Sequence, residues 1–115
     1  MGAQATIREV GKVAIIDIKG NVTMAGGLGD LRDAVKSALD AGQKNILLNL
    51  GGVEYVDSSG LGEMAGMYIT VSNLGGSMKL VNTRPRVDSL LQITRLYTIL
   101  VSFTDEESAL ASFKT

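Results

Sequence analysis

The residues best placed to do chemistry fall in one short run, Val56-Asp57-Ser58-Ser59-Gly60-Leu61-Gly62, between an aliphatic stretch and an amphipathic one. Loops that join a buried strand to the following helix commonly carry functional groups in α/β folds. If a helix begins near Ser59 or Gly60, the Ser58 hydroxyl lies at its positive end beside unpaired main-chain N–H groups. A phosphate of charge about −1.5 to −2 is tolerated there. Asp57 stands next to it, able to orient the hydroxyl or to help position metal and phosphate in a kinase active site. Gly60 and Gly62 let another protein's backbone come close. Asp and Ser are equally ordinary N-cap residues and glycine is an ordinary loop residue, so residue chemistry leaves capping and phosphoacceptor roles both open.

Other chemistries are closed off. The 115 residues contain no His and no Cys, which removes Ser-His-Asp and Cys-His catalysis, thiolate zinc sites and disulfides. An isolated Asp-Ser pair lacks an oriented base, so an enzyme or nucleotide-binding protein built on this loop is the weakest reading, and no cofactor is expected. With 11 basic and 12 acidic side chains, mixed along the chain, there is no basic face for a phosphate backbone. Two Phe, three Tyr and no Trp give little for bases to stack on, so nucleic acid is not an expected partner. The N-terminal segment shows no basic start leading into an apolar run, and no stretch reaches about 18 apolar residues. Neither export nor membrane insertion is expected, and the expected location is the cytoplasm. Met1-Gly2-Ala3-Gln4-Ala5-Thr6 fits the N-myristoylation pattern and Asn21-Val22-Thr23 the glycosylation acceptor, and both are read as coincidental. The glycine-rich Met24–Gly29 stretch lacks a Walker lysine and reads as a flexible approach to a helix, with no ligand assigned.

The elements that must position the Asp57–Gly62 run follow from periodicity. Residues 5–9 and Val13–Lys19, around the Val10-Gly11-Lys12 turn, predict an antiparallel hairpin. From Leu28 the period changes: Leu28, Leu31, Val35, Ala38 and Leu39 share a helical stripe that ends at Gly42. Asn45–Leu50 is too short for a helix and nearly continuously aliphatic, which predicts a central strand covered on both faces. Leu61, Met64, Ala65, Tyr68 and Ile69 predict a second amphipathic helix, stopped at Gly75-Gly76 and followed by a strand at Met78–Val81. Thr83-Arg84-Pro85 reads as an N-cap and first turn for a third helix with Val87, Leu90 and Leu91 inward, and Tyr97–Phe103 as a return to the sheet. Thr104-Asp105-Glu106-Glu107 reads as a capping box opening a last helix whose Ala109, Leu110 and Phe113 cover one sheet face.

Asp57-Ser58-Ser59-Gly60-Leu61-Gly62 after an aliphatic strand resembles the signature of the STAS domain, as found in bacterial anti-sigma factor antagonists. The likeness also takes in the hairpin ending at Gly20, the Ile46–Leu50 strand, Gly75-Gly76 before a short strand, the proline-started third helix and the acidic-started last helix. It implies one α/β STAS-like domain over residues 1–115, with a mixed sheet of about five strands and about four helices. In phosphorylated members the first serine after the aspartate is modified by a partner serine kinase. That position maps onto Ser58, with Asp57 as its acidic neighbour and Ser59 following. The implied partner-binding residues are Asp57, Ser58, Ser59, Gly60, Leu61, Gly62 and Thr23. Thr23 is the departure: antagonists usually read Gly-x-Leu-Asp after the second strand, whereas here Gly20-Asn21-Val22-Thr23 lacks the acidic side chain. The resemblance implies a non-enzymatic switch that, with Ser58 unmodified, binds an anti-sigma factor or serine kinase and frees a sigma factor. A serine phosphatase is the further implied partner. The alternative is a STAS scaffold subunit of a stress-signalling or lipid-transport complex without a phosphorylation switch.

Overall fold

The computed structural model describes residues 3–113. Met1 and Gly2, on which the N-terminal acylation pattern depends, lie outside the described residues. The hairpin forms as β1 (Gln4–Val10) and β2 (Val13–Lys19), paired antiparallel. Gly11 turns it at φ +61°, a conformation that costs glycine little because it has no Cβ. Then follow α1 (Leu28–Asp40), β3 (Asn45–Gly52), α2 (Ser58–Asn73), β4 (Ser77–Val81), α3 (Pro85–Thr94), β5 (Ser102–Phe103) and α4 (Glu106–Ala111). The five strands lie in sequence order, and every pair after the first is parallel.

Strands laid down in order, with crossovers of one hand, place their connecting helices on one face. Accordingly Ala14, Ile16 and Ile18 of β2 and Ile46, Leu48 and Leu50 of β3 share a core with residues of α1, α2 and α3. The opposite face buries Val13, Ile15, Leu47 and Val81 beneath Ala109, with Leu110 and Phe113 of the C-terminal segment packed alongside. β3 is therefore apolar on both sides, which is why its aliphatic run is nearly unbroken. Beyond α4 that second face turns polar. Arg8 pairs with both Asp17 and Glu106, Asn49 donates to Asp17 at 2.7 Å, and Asn82 donates to Asn49 at 3.1 Å. The Arg8 guanidinium, and then the Asn49 amide, hold the Asp17 carboxyl below the usual carboxylate range.

Four expectations are corrected. Tyr97–Phe103 is not a strand throughout: Leu96–Thr98 forms a 3₁₀ turn and only Ser102–Phe103 pairs with β4. Leu96, Ile99 and Leu100 recur at turn spacing and pack on the core, which outweighs the β-propensity of the run. In α2 the inward face runs through Leu61, Met64, Met67 and Val71, leaving Ile69 55% exposed, so the expected stripe was rotated at its C-terminal end. The last helix is capped by Asp105, one residue later than expected, because its carboxylate accepts both the N–H and the hydroxyl of Ser108. Thr83 likewise does not cap α3. Arg84 occupies the N-cap position, and the Thr83 hydroxyl donates to Asp88 at 2.6 Å. Among the described residues no helix is long and apolar enough to cross a membrane.

Candidate functional site at the amino end of α2

The site is where the β2–α1 and β3–α2 connections meet at the carboxyl ends of their strands. Val53 and Val56 are fully buried and pin the second connection to the core. Val22, also fully buried, pins the first. Their main chains pair: Val22 N–H donates to Tyr55 O at 3.2 Å and Asp57 N–H donates to Val22 O at 3.3 Å. Tyr55 N–H in turn reaches the Asn21 side-chain oxygen at 3.1 Å. The Asn21-Val22-Thr23 triplet thus has a structural account that needs no glycosylation.

α2 begins at Ser58, one residue earlier than expected, because Asp57 is its N-cap. Asp57 Oδ1 accepts Gly60 N–H and Oδ2 accepts Met24 N–H, each at 2.9 Å. These bonds, Met24 first and Gly60 second, hold the Asp57 carboxyl below the ordinary range and keep it ionised. The carboxylate therefore engages main chain from two segments rather than orienting the Ser58 hydroxyl. Ser58 is exposed in the first turn of α2, and Ser59 is half-buried. Thr23 is half-buried within a tight turn: its N–H donates to Gly26 O at 2.8 Å and Gly26 N–H returns to Thr23 O at 3.1 Å.

Two residues expected on a partner-facing surface face inward instead. Leu61 is 3% exposed and belongs to the core. Gly60 is buried because a Cβ there would stand 2.2 Å from Val22 O and 2.7 Å from Val56 Cγ1. It serves the contact between this chain's own loops. Gly62 is exposed with open space around it, which leaves Asp57, Ser58, Ser59, Gly62 and the Thr23 turn around the site. Sequence reasoning missed Met24 and Asn21. Met24 is 33 residues from the carboxylate it binds and acts through its N–H, which every residue type except proline offers, so no signal pointed to it.

The glycine contact gives a direct prediction. Gly60→Ala is expected to lower stability by about 1–3 kcal/mol, since the methyl meets fixed backbone. Gly62→Ala is expected to leave stability unchanged or raise it by up to about 1 kcal/mol, as alanine favours an open helix position. Urea titration of both variants reads the contrast, and equal midpoints would mean that the two loops do not touch.

A mixed sheet opened by an antiparallel hairpin, three crossover helices on one face and a short helix on the other are the architecture of the STAS domain. The chain belongs to that family, whose sequence model matches residues 4–109. The anti-sigma F factor antagonist of Paenibacillus polymyxa is 32% identical over 71 residues, which span 62% of this chain and 61% of that relative. An anti-sigma factor antagonist from Mycobacterium paratuberculosis has the same fold, with a TM-score of 0.88 at 17% identity over 99% of this chain and 96% of the other. The Bacillus cell fate determinant SpoIIAA in its phosphorylated form matches with a TM-score of 0.71 at 21% identity, over 96% of this chain and 99% of its own.

Proposed function

We propose that this protein is an anti-sigma factor antagonist working as a cytoplasmic partner switch, with residues 1–115 as one functional domain. Unmodified, it docks on an anti-sigma factor that is also a serine kinase and so frees a sigma factor; phosphorylated on Ser58, it lets go. One observation carries this reading: an exposed serine stands in the first turn of α2, on a platform made rigid by main-chain bonds between two loops. Relatives named as anti-sigma factor antagonists support it. In the modification the γ-phosphoryl group of ATP forms a P–O bond to Ser58 Oγ as its bond to the β-phosphate oxygen breaks. ADP leaves, and the hydroxyl proton passes to a base of the kinase. A serine phosphatase reverses the step by hydrolysis. The added dianion works locally, through repulsion and desolvation in the docked interface, while the positive end of α2 keeps the modified domain folded.

The test starts from a pull-down with and without phosphatase treatment, which recovers the partner. Incubation of that kinase and ATP with the protein is expected to add one phosphate, located by phosphopeptide mass spectrometry on Ser58 and absent from Ser58→Ala. Modification confined to Ser59 would show that the motif had been misread. Recovery of scaffold or transporter subunits, with no kinase, would favour a STAS scaffold without a switch.

A further inference from the structure

The two bonds of the Asp57 carboxylate differ in kind. The Gly60 bond lies within its own helix, whereas the Met24 bond crosses to the tip of a turn 33 residues away in the chain. That turn is otherwise closed on itself, through the paired Thr23 and Gly26 main-chain bonds. Its root is fixed, because Val22 is fully buried and bonded on both sides to the Tyr55–Asp57 segment. Residues 23–26 are therefore anchored at Val22 and clasped by Asp57. At the tip the Met24 side chain is 73% exposed, an apolar group held out in solvent, while its N–H reaches the carboxylate of the residue before Ser58.

Resting on the reading of Ser58 as phosphoacceptor, we infer that Asp57 is a positioning residue that carries the modification of Ser58 to the Met24 turn. A phosphate on Ser58 brings a charge of about −1.5 to −2 beside a carboxylate that already occupies the positive end of α2. Repulsion between the two anions is relieved when the carboxylate swings away from Ser58. The intrahelical Gly60 bond moves with the carboxylate's own segment and is kept. The Met24 bond, which must hold a separate segment, is the one that breaks. The partner then meets two changes together, a dianion at position 58 and a Met24 turn no longer held in place. Phosphorylation thus removes the docking surface as well as charging it.

Amide hydrogen exchange measured by NMR tests this on the wild type, on protein carrying phosphoserine installed at position 58 during synthesis, and on Asp57→Asn with and without that phosphoserine. The asparagine keeps one carbonyl oxygen for Gly60, but its NH2 group cannot accept from Met24. Met24 exchange is expected to rise by about tenfold or more both with the phosphate and in Asp57→Asn, with Gly60 unchanged. Adding the phosphate to Asp57→Asn is expected to give no further acceleration, as for two changes acting through one bond. A Met24 rate unchanged by the phosphate would overturn the inference, as would an equal acceleration by phosphate in the variant. If Asp57→Asn loses protection at Gly60, Asp57→Ser takes its place, since a serine hydroxyl caps the helix but is too short to span to Met24. Because the phosphate is installed without a kinase, failure of every kinase to modify Ser58 would refute the proposed function and leave this measurement standing.

Discussion

Ser58→Asp is expected to bind the cognate anti-sigma factor ~30- to 1000-fold more weakly than the wild type, a loss of about 2–4 kcal/mol, with its unfolding midpoint little changed. The weakening comes from an unpaired charge in a desolvated interface. Folding is spared because Ser58 is exposed and lies in the first turn of α2, where an acidic side chain is favourable. The effect should fall below that of true phosphorylation, since aspartate carries one charge and lacks the tetrahedral oxygens. Ser58→Ala is expected to bind as the wild type does and to resist inactivation by kinase and ATP. Calorimetric titration of the wild type, both variants and the phosphorylated protein measures all four affinities. Equal values in four folded proteins would leave a constitutive scaffold as the better account.

The largest expected effect on stability is at the centre of the sheet. Leu48→Asp is expected to abolish cooperative folding. Leu48 is fully buried, pairs in register with Ile16 and Leu80, and faces the core shared with α1, α2 and α3. An ionised carboxylate there has no partner. Several kcal/mol of desolvation, added to a lost leucine worth about 2–5 kcal/mol, uses up the 5–15 kcal/mol by which small domains are stable. Position 48 is a sharper test than position 47. Leu47 is equally buried, but it is registered against Lys79, whose ammonium could pair a new carboxylate. Circular dichroism through a urea titration reads the result, and a Leu48→Asp protein melting at the wild-type midpoint would mean that β3 does not lie between two layers.

The parts of the fold legible in the sequence were those where pattern and length agreed. β3 was legible because the run Asn45–Leu50, bounded by Gly42 and Gly51-Gly52, is too short for a helix and carries Leu47 on one alternation and Ile46, Leu48 and Leu50 on the other. The hairpin and α1 were legible because the period changes from two to about three and a half across Gly20–Leu28. Helix starts were harder. Asp57, Ser58 and Ser59 can all cap, and so can Thr104 and Asp105, so composition could not choose among neighbours. In the fold the choice falls on Asp57, whose two oxygens meet two N–H groups, and on Asp105, which binds both the N–H and the hydroxyl of Ser108. The candidate site was legible as a segment but not as a surface. Leu61 carried two incompatible expectations, on the apolar stripe of α2 and among partner-facing residues, and burial decided for the first. Gly60 looked open to a partner because nothing local announces that Val22 O approaches it from another loop.

The way the two loops are joined bears on how such a protein can diversify. Val22 and Tyr55 meet through main-chain atoms, and Met24 is gripped by its N–H, so the hold requires no particular side chain at positions 24 or 25. Thr23 closes its turn through main-chain bonds as well. Substitutions at positions 24 and 25 can therefore change the outline offered beside Ser58 while the serine keeps its place. On the proposed reading, copies of such a domain arising by gene duplication could drift apart in partner choice and become insulated from one another, each keeping Ser58. On the same reading, Thr23 alters which partner is met beside Ser58 and leaves the phosphoacceptor itself unchanged.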